Sequence, residues 1–185
     1  MGTTPSASAA PTPAAQPSTP RAAEGFVAGV YNIRAIHSGK CLAPQDDSTG
    51  EGVPIHQQPC DGRPSQRVSL EYFGRFNGWA HYAIVTDSGK CWGENRGIDG
   101  APLLYDTIFT ASCDTYWKRI AYSLRKGHPW DGAQIHSFDD PDEYVGTLCL
   151  HVHNASAGDG AGLLTHFCNN PGTGSRNDTF EFIPV

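Results

Sequence analysis

Positive charge, long apolar runs and helical periodicity are all scarce in this sequence. Lys and Arg number 13 against 19 Asp and Glu, a net charge of −6 at pH 7. A protein that grips a phosphate backbone needs a basic face, so this balance argues against nucleic acid as a partner. No stretch of 18 apolar residues occurs, so no membrane-spanning helix is expected. Nowhere does an apolar pattern of helical period persist over ten residues. Cys-x-x-Cys is missing, which weakens any zinc reading. Gly-x-Ser-x-Gly is missing too, which removes the usual serine-nucleophile elbow. The acidic pairs Asp46-Asp47 and Asp139-Asp140 are sequence neighbours. On strands they would face opposite ways, a poor start for acid/base work. The expectation is a protein that is not an enzyme and needs no cofactor or metal. The start, Met1-Gly2-Thr3-Thr4, lacks the charged and apolar regions of a signal peptide. It reads as a mature form behind an added initiator Met, or as a chain whose signal lies outside the sequence given.

Cysteine, glycine and proline are plentiful. The 21 glycines and 14 prolines fit a turn-rich all-β chain. The six cysteines fall into three evenly spaced pairs. Cys41–Cys60 and Cys149–Cys168 each enclose 18 residues, and Cys91–Cys113 encloses 21. The opening cysteines, Cys41, Cys91 and Cys149, lie 50 and then 58 residues apart. Ser88-Gly89-Lys90-Cys91-Trp92 repeats Ser38-Gly39-Lys40-Cys41-Leu42 nearly letter for letter, and Thr147-Leu148-Cys149-Leu150 is a weaker third copy. A fixed period of this length signals a repeat architecture. The pairs read as local disulfides of an oxidising compartment, with reduced buried pairs as the alternative. A secreted, extracellular protein is expected.

Residues 1–24 are Ala/Pro/Ser/Thr-rich and read as a disordered tail or linker. Residues 25–185 read as one domain of three repeats, at about 29–80, 81–143 and 144–185. In the first, Val30, Asn32 and Arg34 alternate with Tyr31, Ile33 and Ala35, the period of a half-buried strand. Further strands are expected at Cys41-Leu42, Val53 to Gln58 and Gln66 to Leu70. The second repeat offers His81 to Val85, Cys91-Trp92, a strand within Leu103–Thr110, and Tyr116 to Ile120. The third offers Leu148 to Val152, Leu163 to Cys168 and Thr179 to Ile183. A four-stranded unit cannot bury its own apolar side, so three must pack around a pseudo-threefold axis, with strands near the two chain ends pairing to remove free edges. That is a β-trefoil. Its core is expected from Tyr31, Ile33, Leu42, Ile55, Val68, Tyr82, Ile84, Trp92, Trp117, Leu148, Leu150, Leu163, Phe180 and Phe182.

Gly39-Lys40-Cys41-Leu42, Gly52, Ile55, Cys60 and Gln66 resemble, in order and spacing, the first repeat of the ricin B-chain type (R-type) lectin family. The resemblance covers residues 29–185. It implies a lectin-like module and sets out where a sugar would be held: an Asp two residues after the first cysteine, an aromatic two residues before the second, and a Gln-x-Trp motif with its amide neighbours near the end. A carboxylate accepts hydrogen bonds from adjacent sugar hydroxyls, an aromatic face stacks on the ring, and amides orient it. Here the Asp positions hold Ala43, Gly93 and His151, and the aromatic positions hold Gln58, Ala111 and His166. The last motif reads Gln66-Arg67-Val68 and Asp178-Thr179-Phe180, with Ser65-Gln66 and Asn177-Asp178 at the amide positions; in the second repeat Thr115 and Trp117 are placed there.

The third repeat is therefore the first candidate, with His151, Asn154, Asp159, His166, Asn177 and Asp178; histidine can donate, accept and stack. The first repeat offers Asp46, Asp47, His56, Gln58 and Gln66, against the reading of a solvated acidic turn. Trp130, in a Gly-Pro loop, is a candidate exposed stacking anchor. His151-Val152-His153 invites a metal reading, since alternate strand residues share a face. Two sequons, Asn154-Ala155-Ser156 and Asn177-Asp178-Thr179, would block the third repeat if glycosylated. The sequence leads to a secreted carbohydrate-binding module that targets a glycan, of galactose type. The alternative is a degenerate trefoil serving as a protein-binding or targeting subunit of a toxin or cell-surface assembly.

Overall fold

A computed structural model describes residues 26–76, 78–97, 101–115, 117–126, 132–138, 148–169 and 175–185. The expected tail, Trp130, Tyr116, Tyr144 and half of the connection from 124 to 143 (residues 127–131 and 139–143) lie outside these residues, as do the side chains of Trp117 and Lys126.

The described residues form twelve strands and four short 3-10 turns. Strands β1 (Gly29–Ala35), β2 (Cys41–Pro44), β3 (Ile55–Gln58) and β4 (Arg67–Phe76) make the first unit. Strands β5 (Trp79–Thr86), β6 (Cys91–Gly93), β7 (Phe109–Ala111) and β8 (Tyr122–Lys126) make the second. The third holds β9 (Ala133–Ser137), β10 (Leu148–Val152), β11 (Leu163–Phe167) and β12 (Phe180–Pro184). Antiparallel pairing runs β1–β4–β5–β8–β9–β12 and returns to β1, a closed ring of six strands. The other six pair as hairpins, β2–β3, β6–β7 and β10–β11, which cap one end of the ring. Closure leaves no free barrel edge. This is the β-trefoil expected from the repeats.

Register makes the threefold relation explicit. Arg34 pairs with Cys41, Val85 with Cys91 and His136 with Cys149, so these three residues are equivalent. One residue earlier in each strand come Arg34's, Val85's and His136's neighbours Ile33, Ile84 and Ile135, all fully buried. Leu42, Trp92 and Leu150, each just after its opening cysteine, form a second buried layer; Ile55, Ile108 and Leu163 form a third, and Val68, Tyr122 and Phe180 a fourth. Each unit thus supplies one residue to each layer, and no unit could bury its share alone. Tyr31 and Phe182, expected in the core, are partly buried against it. The disulfides Cys41–Cys60, Cys91–Cys113 and Cys149–Cys168 are all present, with Cα–Cα distances of 5.0, 5.1 and 4.9 Å.

Two expected strand positions are corrected. The fourth strand of the second unit begins at Tyr122, not Tyr116, and Trp117 to Arg119 form a 3-10 turn. Register places Tyr122 opposite Tyr82 as Val68 lies opposite Tyr31, so Ile120 and Tyr122 occupy the final-motif positions that Thr115 and Trp117 were expected to fill. The first strand of the third unit is Ala133–Ser137, ahead of the expected start near Tyr144. Extra residues between β9 and β10 lengthen that hairpin and displace the strand from its cysteine.

The units also clasp one another in a cycle. Gln57, Thr110 and Thr165 are equivalent, and all are buried. Thr110 Oγ1 donates to Gly50 O of unit one at 2.7 Å, Thr165 Oγ1 to Leu103 O of unit two at 2.5 Å, and Gln57 Nε2 to Ser156 O and Gly158 O of unit three, both at 2.7 Å. Each buried polar side chain is paid in hydrogen bonds by the neighbouring unit's loop.

Candidate functional site

In unit three, β10 ends at Val152 and a 3-10 turn, His153–Ala155, carries the chain outward. His151 is the last strand residue but one and points away from the core layer of Leu150 and Val152. On β11, His166 lies opposite Cys149. The two imidazoles meet with centroids 5.1 Å apart. Behind them the Cys168 turn and the segment before β12 bring up Asn169, Ser175 and Asn177. These residues line one open cavity of about 410 Å³, together with Tyr105, His153 and Asn154.

The wall is tied down by hydrogen bonds. Asn177 Nδ2 donates to Val152 O at 2.7 Å, and its Oδ1 accepts from Ser175 Oγ at 2.6 Å. Asp178 lies beneath, 1% exposed. Its Oδ2 accepts from the Asn169 N–H at 2.9 Å and from Gln134 Nε2 at 2.6 Å. His151 is buried, and its Nε2 has no hydrogen-bond partner. Burial lowers its pKa; the Asp178 carboxylate, 3.8 Å away, opposes that shift and His166 adds to it. The described lining of the cavity therefore offers imidazoles, amides, two hydroxyls and aromatic faces, and no carboxylate.

Of the residues expected in unit three, His151, Asn154, His166 and Asn177 are brought together. Asp178 serves the wall, not the cavity. Asp159 lies elsewhere, in an ion pair with Lys40 at 2.5 Å. His153 sits beyond the end of the strand and is exposed, so it does not share a strand face with His151 as the metal reading required. Among the described residues, His136, Cys149 and Cys168 bring possible ligand atoms together, but the two cysteines are joined to each other in a disulfide.

Unit one builds a different surface. Asp47 accepts from Ser65 Oγ at 2.5 Å and from Arg63 Nη1 at 2.7 Å, and Arg63 also clamps Asp61. A cavity of about 350 Å³ lies here, lined by Asp47, Arg63, Ser65 and the Thr86–Ser88 turn, but not by Asp46, His56, Gln58 or Gln66. Gln66 is fully buried and spends both ends of its amide on the Cys60 turn, accepting from Asp61 N and Gly62 N and donating to Pro59 O. Gln58 donates to Pro44 O. His56 lies against Gly162 of unit three, and burial lowers its pKa. Asp46 is exposed in a left-handed turn at φ 54°. In unit two, a Cβ on Gly93 would stand 3.0 Å from that of Ala111, and Arg119 covers the place, donating to Glu94 O at 2.9 Å.

Sequence reasoning missed Asn169 and Ser175 of the lining, and it missed Tyr105. Tyr105 comes from unit two, and its ring stands 5.0 Å from that of His166, with the hydroxyl 3.3 Å from Nε2. The only signal was an aromatic within Leu103–Thr110, the stretch expected to hold a strand, whose strand is Phe109–Ala111.

A closed six-stranded ring with three disulfide-linked hairpin caps defines a β-trefoil, here with a polar cavity on the cap of unit three. The ricin-type resemblance holds: residues 23–103 match the family described as ricin-type beta-trefoil lectin domain-like. No curated protein matches the chain. Among solved structures, the Rhizoctonia solani agglutinin is similar at TM-score 0.67 and 17% identity, over 87% of this chain and 98% of its own. The Macrolepiota procera ricin B-like lectin, solved with lactose, is similar at TM-score 0.65 and 11% identity, over 86% and 99%. An exo-beta-1,3-galactanase from Clostridium thermocellum is similar at TM-score 0.65 and 20% identity, over 90% of this chain but 31% of the enzyme's. At these identities the likeness is one of fold.

Proposed function

We propose that this chain is a non-enzymatic carbohydrate-binding module whose working site is the cavity of unit three. The observation that carries this is the convergence of His151, His166, Asn154 and Asn177 on one open polar cavity beside an exposed aromatic ring. A pyranose has hydroxyls that need donors and acceptors in fixed directions and an apolar face that stacks on a ring, and this wall supplies both. The lactose bound by the Macrolepiota procera lectin supports a galactose-type glycan. The three disulfides support secretion. A domain that is one part of a galactanase supports a role in bringing an attached partner to a glycan surface.

A second reading rests on one observation: the positions expected to hold Asp carry Ala43, Gly93 and His151. On that reading the fold binds a protein instead. A glycan array with the oxidised protein separates the two. Binding to one glycan class that is lost in His166→Ala supports the module; a blank array with folded protein supports the protein partner.

A further inference from the structure

Each unit has a loop residue whose N–H donates to the neighbouring unit's β3-type strand. Gly52 donates to Thr110 O at 2.7 Å, Gly160 to Gln57 O at 2.9 Å and Tyr105 to Thr165 O at 2.8 Å. All three have left-handed backbones, with φ 72°, 77° and 61°. Two units place glycine there, and unit two places tyrosine. A bulky residue in this region is strained and persists where something compensates. Burial does not compensate here, because Tyr105 is 63% exposed. A Cβ at Gly52 or Gly160 would meet nothing within 4 Å, so the glycines answer to backbone conformation and not to crowding. What the tyrosine gains is its place: the ring lines the unit-three cavity, tilted 62° from His166, with its hydroxyl on the imidazole.

We propose that Tyr105 is a second sugar-stacking residue that carries the unit-three site across the unit boundary, so that the ligand is an oligosaccharide of at least two rings. This rests on the carbohydrate reading above. One ring faces His151, His166 and Asn177; the next stacks on the outer face of Tyr105. Aromatic stacking on a sugar face is tolerant of hydroxyl pattern, so the residue selects for chain length more than for sugar identity.

The test titrates the native protein, Tyr105→Gly and Tyr105→Phe with galactose, lactose and a lactose-terminated tetrasaccharide. The native protein should prefer the longer glycans by about tenfold, one ring's worth of stacking. Tyr105→Gly should weaken lactose and the tetrasaccharide more than galactose and so lose that preference, and Tyr105→Phe should keep most of it. A ligand-free arm reads the strain: Tyr105→Gly should melt no lower than the native protein, whereas Gly160→Tyr should melt a few degrees lower, about 2–4 °C. Equal length preference in native protein and Tyr105→Gly would overturn the proposal and leave the sugar reading standing. A native protein that binds none of the three overturns both. A marked fall in the melting point of Tyr105→Gly would make Tyr105 a packing residue and overturn the proposal by itself.

Discussion

Units one and three share a backbone and differ in what their polar groups are doing. Both leave the second strand through a 3-10 turn with two left-handed residues, Asp46-Asp47 in one and Asn154-Ala155 in the other. Both lock the turn after the second cysteine with a buried side chain, Gln66 or Asp178. Then they part. In unit one Asp47 is already held by Arg63 and Ser65, so the surface has satisfied itself. In unit three His151, His166 and Asn154 line a larger cavity with no arginine or carboxylate among its described lining residues. Acidic loop residues look like sugar ligands in a sequence; whether an arginine has already claimed them is a matter of folding. A binding site is a set of groups that the fold brings together and leaves unspent.

The largest predicted difference is in acid stability. His136 of unit three occupies the place held by Arg34 in unit one and Val85 in unit two. Burial, helped by Arg125, lowers its pKa to about 3. The unfolded chain protonates near pH 6.5 and the folded one does not, so stability is full above that pH and is lost as pH falls toward 3. The expected slope is about 1.4 kcal/mol per pH unit, about 5 kcal/mol across the window, and His151 acts in the same direction. Denaturant midpoints against pH should show this slope, and His136→Val should flatten it.

Next is the disulfide exchange. Replacing Cys149 and Cys168 by serine should cost about 3 kcal/mol, and so should replacing Cys41 and Cys60, since the two loops are equal in length. Unfolding curves check the cost. Only the unit-three pair should also weaken glycan binding. A smaller effect separates the sites themselves: His166→Ala should weaken binding about tenfold or more, while Asp47→Ala should leave it unchanged in the same titration. Smallest of all, Arg63→Ala removes two exposed ion pairs, to Asp47 and Asp61, and should barely move a thermal melt.

The threefold core could be read from the sequence because each layer residue sits at a fixed offset from a cysteine or in an alternating strand. Leu42, Trp92 and Leu150 follow their cysteines directly, and Ile33 and Ile84 show the strand period. Where insertions break the offset, reading fails: β9 lies far ahead of Cys149, and the 3-10 turn at Trp117–Arg119 shifts β8 past the expected motif. The site divides in the same way. His151, His166 and Asn177 were found because the family pattern assigns each a position within one unit. Tyr105 was not, because it reaches the cavity from another unit, through the cyclic clasp of loops that no single repeat records. Asp159 was placed in the site by residue type and Asp178 by the family pattern, but a lysine and a buried amide network hold them away from it.

The most direct test is an NMR titration of histidine-labelled protein with lactose. The account predicts that the ring resonances of His151 and His166 move together and saturate, while His56 of unit one stays still. Movement of His56 with His151 and His166 unchanged would put the site in unit one, and no movement of any of the three would contradict a sugar site in this trefoil.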